Sequence, residues 1–378
     1  MKDFISGTYL RQEGYKSFIP NLIHRAWQLD DMEVIQLLSQ ADRHLGRLDM
    51  YSEYVDIDLY ISMHLAKEAT ESSRIEGTQT RMEELFMSEN DISPELRDDW
   101  HEVQNYIIAT REAVEMLPSL PFSSRLIRQA HKTLLQGVRG AHKLPGEFRR
   151  SQNWIGGASL RDAVFVPPPH AEIGILMNDL EKFAHDEINP MPDLLKIAII
   201  HYQFETIHPF LDGNGRVGRL LIPLFLVSKG VLKQPILYLS DFFERHRQLY
   251  YENLMRVRTH HDIKQWFKFF LTGVIETAQQ GVRTFDGIMQ LRQQIDTELK
   301  LWGSRTPDAR TVIQHLYKRP VINAAQVAAL TGKSNVSAYK LIASLEKSGI
   351  LQEMTGAQRN RMYVFARYVR LFYAHETM

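Results

Sequence analysis

Apolar residues recur at intervals of three and four along most of the chain, and this periodicity predicts a mainly α-helical protein. Helices of this kind turn one apolar face toward a core and leave the other face to solvent. Gly230 follows one such segment and predicts its end, because glycine favours the left-handed cap. The predicted helices are 58–70, 94–117, 124–138, 172–186, 192–207, 215–228, 250–270 and 274–301.

The region 146–169 lacks the helical pattern. Two β-prone runs, 151–155 and 163–166, flank Gly156 and Gly157, and three prolines close the region. This arrangement predicts a β-hairpin in an otherwise helical domain. An isolated hairpin is marginally stable and needs support from the body of the protein. A functional flap and a plain surface excursion are both consistent with this pattern.

The pattern changes again after residue 304. It predicts helices over 307–317, 323–330 and 336–347, followed by two short strands over 351–354 and 362–365 about a polar turn. Three helices and a hairpin are the plan of a winged helix-turn-helix module.

The overall composition is that of a soluble globular protein, with 44% apolar and 24% charged residues. The chain has no cysteine, which excludes disulfides, thiolate zinc sites and cysteine nucleophiles. Its first residues lack the basic-then-apolar pattern of a signal peptide. No stretch reaches the roughly 18 apolar residues of a membrane span. We therefore expect a cytoplasmic protein without a membrane partner.

The net charge of zero conceals a contrast between two parts of the chain. From Arg305 onward there are eleven Lys and Arg against four Asp and Glu, a net charge of +7, so the preceding residues carry −7. This contrast predicts a separate basic module. Its partner is either DNA or another protein. The candidates for DNA contact are Ser334, Asn335, Ser337, Tyr339 and Lys340 in the predicted recognition helix and Arg359 and Arg361 in the wing.

The most reactive set of side chains lies in the segment HPFLDGNGRVGR, residues 208–219. One predicted helix ends near Ile207 and the next begins near Gly215, so this loop enters a helix N-terminus. The free N–H groups and the dipole of such a terminus attract phosphate. Gly213 and Gly215 carry no side chain that would keep a phosphate from the backbone.

Four charged or titratable side chains complete this candidate site. Arg216 and Arg219 are three residues apart, so both project from one helix face and can bind phosphate oxygens. Asp212 supplies the carboxylate that Mg²⁺ needs when it bridges phosphates. His208 can accept a proton near neutral pH.

Three simpler interpretations of this segment are weaker. Residues 213–218 satisfy the G-x-G-x-x-G pattern of dinucleotide folds, but a helix precedes them and no acid lies about 20 residues further on. One His and one Asp are too few ligands to define a metal site. A structural turn requires glycines, but it does not require two arginines and an acid around them.

The segment 208–219 resembles the signature of Fic-domain proteins, His-x-Phe-x-(Asp/Glu)-Gly-Asn-Gly-Arg-x-x-Arg, at every defined position. The similarity extends through the surrounding helices and the hairpin, over residues 100–270. The resemblance implies a helical Fic core with a β-hairpin flap. It also implies transfer of AMP from ATP to a protein hydroxyl.

The resemblance assigns roles to individual residues. His208 would deprotonate the target hydroxyl, and Asp212 would hold Mg²⁺ between the α- and β-phosphates. Arg216 and Arg219 would bind the β- and γ-phosphates, and the flap would align a target by strand addition. Backbone amides of three residues of the loop would form an anion hole. The ATP- and phosphate-binding residues implied are Phe210, Leu211, Asp212, Gly213, Asn214, Gly215, Arg216, Arg219 and Tyr251, the amides being those of Gly213, Asn214 and Gly215.

A second motif, SSRIEG at residues 72–77, lies at the end of a predicted helix. A polar helix end followed by glycine is common and has no function by itself. The motif also matches the inhibitory pattern (Ser/Thr)-x-x-x-Glu-(Gly/Asn) of Fic proteins, which implies an inhibitory role for Ser72, Glu76 and Gly77. Glu76 would pair bidentately with Arg219 and obstruct the γ-phosphate.

The sequence therefore predicts a protein adenylyltransferase that uses ATP and Mg²⁺, modifies Ser, Thr or Tyr side chains including its own, and is inhibited by Glu76. Expected partners are a hydroxyl-bearing protein, a second copy of the chain and DNA. One alternative is a DNA-binding transcription regulator with a nucleotide-sensing domain, which does not explain the intact His208. Another is a Fic-type transferase of a different phosphate-containing group, which the unaltered segment 213–216 disfavours. The adjacent Tyr250 and Tyr251 suit either adenine contact or core packing.

These expectations divide the chain into four parts. An N-terminal helical region over 1–95 carries the inhibitory helix, and the Fic catalytic domain covers 96–275. A linker helix over 276–304 then leads to a winged helix-turn-helix domain over 305–378.

Overall fold

The chain folds mainly into helices, and the computed structural model describes residues 4–54, 58–140, 142–188, 191–356 and 360–373. The predicted wing residue Arg359 lies outside the described residues. None of the helices in these ranges combines the length and apolarity needed to traverse a bilayer. The helices of the body are α1 (Met32–Tyr54), α2 (Asp58–Ile75), α3 (Arg97–Met116), α4 (Ser124–Leu134), α5 (Ile173–Ala184), α6 (Asp193–Ile207), α7 (Asn214–Ser228), α8 (Ser240–Arg245), α9 (Arg247–His260) and α10 (Ile263–Leu299).

Helices α6 and α7 lie at the centre of the body. Every residue of α6 after Asp193 is buried, and α7 is buried from Arg216 to Leu226. A helix that is buried around its whole circumference requires neighbours on all sides. Those neighbours are α5 and α10 for α6, and α2, α3 and α4 for α7. The loop between the two helices is therefore anchored at both ends in the core.

The last two helices of the body, α9 and α10, are separated at a different position from the predicted one. Helix α10 runs without interruption over 37 residues, whereas the periodicity placed a break between 270 and 274. Gly273 lies inside the helix because the Phe242 ring packs against it, and a Cβ there would lie 2.7 Å from that ring. The actual break precedes α10, where the Asp262 side chain accepts the Gln265 N–H at 3.1 Å and caps the helix.

Helix α1 was not predicted, although its signal was present. Its buried apolar residues are Val34, Leu38, Ala41, Leu45 and Leu48. These positions are three and four apart, and they pack along α10. The helix is polar on average, which weakened the pattern.

A β-hairpin near the N-terminus was also not predicted. Strands β1 (Gly7–Arg11) and β2 (Lys16–Pro20) pair antiparallel, with Tyr9 opposite Phe18. The Phe18 N–H donates to the carbonyl of Val166 at 2.9 Å. The hairpin therefore lies against the outgoing arm of the predicted flap.

The flap itself contains no continuous strand within its described residues, so the predicted β-hairpin over 151–155 and 163–166 is corrected to a loop. One antiparallel bridge, Ile155 to Phe165, closes this loop. The Asp162 carboxylate accepts the N–H groups of Ala158 and Ser159, both at 2.8 Å. These side-chain bonds fold the tip back on itself, which competes with a regular ladder.

The C-terminal residues form a further unit. It consists of β3 (Val321–Asn323), β4 (Leu351–Glu353) and β5 (Met362–Phe365) in the order β3-β5-β4, with α11 (Thr306–Lys318), α12 (Ala324–Thr331), α13 (Asn335–Lys347) and α14 (Ala366–Val369). Asn323 caps α12, since its side chain accepts the Gln326 N–H at 2.9 Å. Strand β3 adds to the two predicted strands. Winged helix-turn-helix character stays a prediction for this unit.

Helix α2 contacts this C-terminal unit as well as the body. The hydroxyl of Ser62 donates to the Lys318 carbonyl at 3.1 Å, and Lys67 donates to the Phe372 carbonyl at 2.9 Å. The His64 ring lies 4.9 Å from the Phe372 ring, centroid to centroid. The helix thus packs between the rest of the body and the C-terminal unit.

Candidate active site

Two left-handed residues reverse the chain between α6 and α7. His208 caps α6 with φ 50°, an unusual conformation for a residue other than glycine, and its N–H donates to the Phe204 carbonyl at 2.9 Å. Gly213 precedes α7 with φ 73°, which glycine adopts without steric cost. The loop therefore connects two buried helices within six residues and presents the N-terminus of α7 at its end.

Asn214 closes this loop on itself. Its Oδ1 accepts the N–H of Phe210 at 2.8 Å, and its Nδ2 donates to the carbonyl of the same residue at 2.9 Å. Both residues are buried. Phe210 and Asn214, which the sequence placed among the nucleotide-binding residues, therefore form the contacts that close the loop.

His131 on α4 supports the loop from the other side, and the sequence did not single it out. Its ring stacks on Phe210 with centroids 3.7 Å apart. Its Nδ1 accepts the Gly146 N–H at 2.8 Å, so its Nε2 carries the proton and donates to the Asp212 carbonyl at 3.0 Å. Burial lowers the pKa of His131 to about 4, which keeps the ring neutral.

Arg149 and Asn153, at the base of the flap, hold the loop through its carbonyl groups. Arg149 Nε donates to the His208 carbonyl at 3.0 Å, and Asn153 Nδ2 donates to the Phe210 carbonyl at 2.9 Å. Arg149 also binds the Pro168 carbonyl at 2.5 Å, at the far end of the flap. Both residues are buried, so they connect the flap rigidly to the candidate site.

The imidazole of His208 is neutral around pH 7. Burial, and next the positive charges of Arg258 and Arg149, lower its pKa to about 3. The charge of Glu76 and the carbonyl of Glu205 act in the opposite direction but are weaker. A neutral imidazole has an unprotonated nitrogen that can accept a proton. Phosphate charge bound nearby would raise this pKa toward the range of an effective base.

Asp212 and Arg216 face each other at the start of α7. The Asp212 side chain is 44% exposed, and Arg216 Nη2 lies 3.8 Å from its Oδ1. That oxygen also accepts the Gly213 N–H at 2.6 Å, so this amide of the expected anion hole is engaged within the protein. Arg216 Nη1 donates to Glu102 at 3.0 Å. Glu102 is a buried carboxylate on α3 that the sequence did not reveal.

Arg219 is bound by acceptors from the end of α2. Its Nε donates to Ser72 Oγ at 2.9 Å, and its Nη2 donates to the Ser72 carbonyl at 2.8 Å and to Glu76 Oε1 at 2.7 Å. The expected bidentate pairing of Glu76 with Arg219 is therefore corrected to a contact through one oxygen. Ser72 takes the Nε donor that a bidentate pair would have used.

The Glu76 carboxylate reaches the first turn of α7. Gly215 makes this approach possible, because a Cβ there would lie 2.3 Å from Glu76 Oε1. Burial raises the pKa of Glu76, but Arg219 and Arg216 outweigh it and hold the pKa below its usual value. Gly77 follows with φ 104° and turns the chain away from α2. An ionised carboxylate thus lies at a helix N-terminus, a place that favours anions.

Tyr250 and Tyr251, both on α9, lie in different environments. Tyr251 is 41% exposed, whereas Tyr250 is buried and its hydroxyl lies 2.8 Å from His201 Nε2. His201 Nδ1 lies 2.8 Å from the Gly218 carbonyl, so this nitrogen donates and Nε2 accepts from the tyrosine. Of the two tyrosines, Tyr251 has the ring available to a ligand. Leu211 of the loop is half-buried.

Together, the loop with its neutral imidazole and the two arginines in the first turns of α7 form a candidate anion site in a helical domain. The family model described as "Fic/DOC family N-terminal" matches residues 35–115, and the one described as "Fic/DOC family" matches residues 121–226. These ranges include Glu76 and the whole loop. The chain therefore contains a Fic/DOC family domain over residues 121–226, with the family's N-terminal region before it.

Curated relatives are similar over part of the chain. A protein adenylyltransferase Fic of Aedes aegypti is 31% identical over 179 residues, which is 47% of this chain and 32% of the relative. One of Culex quinquefasciatus is 34% identical over 125 residues, or 33% of this chain and 22% of the relative. The chain therefore matches about a third or less of the length of these relatives.

Solved structures are similar over a larger part of the chain. A Fic family protein from Desulfovibrio desulfuricans G20 has a TM-score of 0.57 at 18% identity and covers 90% of this chain and 98% of its own. Fic-1 from C. elegans has a TM-score of 0.52 at 19% identity, over 68% of this chain and 74% of its own. At these identities the likeness concerns the fold, and it confirms the predicted helical Fic fold.

Proposed function

We propose that the chain is a protein adenylyltransferase, which transfers AMP from ATP to a Ser, Thr or Tyr hydroxyl of a protein, its own hydroxyls included. The observation that carries this proposal is the neutral imidazole of His208 beside the N-terminus of α7, where Arg216 and Arg219 are buried. Base, anion site and phosphate-binding cations are the groups that such a transfer needs. Relatives named protein adenylyltransferase Fic support the same activity.

In the proposed reaction His208 accepts the proton of the target hydroxyl as its oxygen attacks the α-phosphorus of ATP. The new bond joins the target oxygen to this phosphorus. The bond from the phosphorus to the oxygen that bridges to the β-phosphate breaks, and pyrophosphate leaves. Arg216 and Arg219 neutralise charge on the leaving phosphates, and the N-terminus of α7 binds phosphate oxygens. Tyr251 offers its exposed ring to the adenine.

Asp212 is the residue proposed to hold Mg²⁺. Its half-exposed carboxylate lies beside the start of α7, next to where phosphates would bind. The described residues contain no group of three or more His, Asp or Glu suited to a metal. Mg²⁺ fits this setting, because it commonly takes one or two carboxylates and completes its shell with phosphates and water. When bound, the cation neutralises phosphate charge.

We propose that Glu76 inhibits this activity from within the same chain. Its contact with Arg219 at 2.7 Å uses a donor that the γ-phosphate needs. Its position against Gly215 also adds a negative charge at the N-terminus of α7. ATP reaches the productive position only after this contact breaks. Gly77 and Ser72 support the inhibitory arrangement, the first through the turn after α2 and the second through Arg219.

The test is mass spectrometry of the purified chain with ATP and Mg²⁺, with and without the Glu76→Gly substitution. We expect adducts of one AMP, and we expect none from His208→Ala. His170→Ala is the matched control, because His170 is exposed and lies outside the site. A phosphate adduct would instead favour transfer of a different group. AMP adducts at the parental level in the His208 variant would refute the assigned base.

A specific observation favours a second candidate, DNA binding through the C-terminal unit. Val336, Tyr339 and Lys340 lie on the exposed side of α13, and Tyr339 is 54% exposed. An exposed helix with a basic surround suits the major groove of DNA. A shift of duplex DNA that weakens steeply with salt would support this function. No shift at low salt would exclude it and leave a protein partner for this surface.

A further inference from the structure

Glu102 is a buried carboxylate at the candidate site that belongs to neither sequence motif. It lies on α3 with 3% exposure, and its Oε2 accepts Arg216 Nη1 at 3.0 Å. Its Oε1 lies 3.2 Å from Arg139 Nη2. A buried carboxylate without such partners would be strongly unfavourable. Glu102 is therefore paired through both oxygens, one of them to a phosphate-binding arginine.

Arg216 in turn lies between two carboxylates of unequal distance. Glu102 is at hydrogen-bond distance on one side, whereas Asp212 Oδ1 lies 3.8 Å away on the other. The guanidinium is buried and requires a negative partner. If Glu102 did not provide one, the nearest carboxylate would be that of Asp212. The same carboxylate is the one proposed to hold Mg²⁺.

The segment that carries Arg139 also lies along Asp212. A Cβ on Gly140 would be 3.4 Å from Asp212 Oδ2 and 2.9 Å from the Leu135 side chain. Arg139 is 67% exposed, so it can pair with Glu102 without loss of its own hydration. Opposite charges thus alternate within one group, in which Glu102 pairs with both guanidinium groups. Its members in order are Arg139, Glu102, Arg216 and Asp212.

We propose that Glu102 is a positioning residue, which holds Arg216 in place for the phosphates and thereby leaves Asp212 to the divalent cation. This inference rests on the proposed function. It predicts that loss of the Glu102 charge moves Arg216 toward Asp212, and that the cation then competes with a guanidinium. Nucleotide and metal binding weaken together, while His208 and the attack on the α-phosphorus are unaffected.

The experiment uses the full chain with Glu76→Gly and His208→Ala as the parent, so that binding is measured without turnover. Mn²⁺ is titrated by electron paramagnetic resonance in the presence of a non-hydrolysable ATP analogue. We expect Glu102→Gln to weaken Mn²⁺ binding about tenfold, and Glu102→Asp to restore part of the loss because it keeps the charge. The control is Glu112→Gln on the same helix, whose carboxylate accepts the Thr133 hydroxyl at 2.7 Å.

A second readout separates positioning from a general structural role. In the Glu76→Gly chain with His208 intact, Glu102→Gln should raise KM for ATP about tenfold with little change in kcat. Arg139→Gln lies at an exposed position that folding tolerates. It should weaken Mn²⁺ binding and raise KM for ATP, both by less than Glu102→Gln does. Unchanged Mn²⁺ affinity in Glu102→Gln and Arg139→Gln overturns the inference. If the Glu76→Gly chain transfers no AMP, the proposed function fails, and the Mn²⁺ titration still decides the role of Glu102.

Discussion

Replacement of Glu76 by glycine should strengthen ATP binding, and the structure gives the size of the effect. The contact with Arg219 is a charge-assisted hydrogen bond of 2.7 Å to a guanidinium that is only 2% exposed. Such bonds contribute about 1.5 to 3 kcal/mol net. Glu76 is 39% exposed, so solvent screens its charge and the lower end of about 1.5 kcal/mol applies. Since about 1.4 kcal/mol corresponds to a factor of ten, ATP affinity should rise about tenfold.

Glu76→Gln refines this expectation. The amide keeps a hydrogen-bond acceptor near Arg219, so the hydrogen bond to the guanidinium remains while the attraction between opposite charges is lost. This variant should therefore gain affinity for ATP, but less than the roughly tenfold gain of Glu76→Gly. Ser72 retains its two contacts with Arg219 in both variants. The difference between the parent and Glu76→Gln thus isolates the charge of Glu76, and the difference between the two variants isolates the remaining hydrogen bond.

The assay is calorimetric titration of ATP and Mg²⁺ into chains that carry His208→Ala, so that no turnover occurs. Glu71→Gln is the matched control. Glu71 lies one helical turn earlier on α2 and pairs with Arg74 at 2.9 Å. Equal dissociation constants for the parent and the Glu76→Gly chain would refute competition between Glu76 and ATP for Arg219.

Two further predictions concern stability. Burial, and then the charge of Lys67, lower the pKa of His64 to about 3, so as pH falls through about 6.5 the unfolded chain takes up the proton first and stability is lost. Between pH 8 and pH 5.5 the free energy of unfolding should fall by about 1.4 kcal/mol because of this group. Urea unfolding of His64→Phe should lack this loss. The same pH dependence in the variant and the parent would contradict the prediction. Gly218→Ala should destabilise the chain by about 1 to 3 kcal/mol, because its Cβ would lie 2.2 Å from Glu205 Oε1. Gly46→Ala, on α1 with no heavy atom within 4 Å of its Cβ, should instead stabilise by about 0.5 to 1 kcal/mol, and a thermal melt that ranks the two in the opposite order would contradict this reasoning.

The sequence predicted the centre of the fold well because its signals are local. The predicted helix 192–207 differs from α6 by one residue, and 215–228 differs from α7 by one residue. Dense apolar periodicity defines these helices, and Gly213 and Gly230 lie beside the two ends of α7. The break before α10 depends on the Asp262 cap, and a short polar cap barely alters the apolar periodicity that places helices, so the predicted break lies elsewhere.

The flap shows how side chains can override strand propensity. Its apolar residues favour strands, yet the Asp162 carboxylate binds two amides of the tip, and only the Ile155–Phe165 bridge forms. The hairpin at β1 and β2 was missed for a related reason. Its strands have five residues each, and Ser17 is buried beside Phe18, so polarity does not alternate as in an amphipathic strand.

At the candidate site, the residues within one motif were predictable and their supports were not. The loop residues lie within twelve positions, and their spacing alone suggested phosphate chemistry. Glu102 contacts Arg216 across 114 positions, and Arg149 contacts the His208 carbonyl across 59. Such contacts depend on tertiary packing, and a bond to a backbone carbonyl places no demand on the identity of the residue that accepts it.

Helix α2 contacts the C-terminal unit along its length and leads into the candidate site at its end, and this has a mechanical consequence. Glu76 follows the C-terminal end of α2 and contacts Arg219, while Lys67 and His64, about two and three turns earlier, contact Phe372 near the end of the described residues. A rigid helix transmits rotation and translation along its whole length. A tilt of α2 that withdraws the carboxylate from α7 also moves these earlier turns against Phe372, so the position of Glu76 is coupled mechanically to the packing of the C-terminal unit.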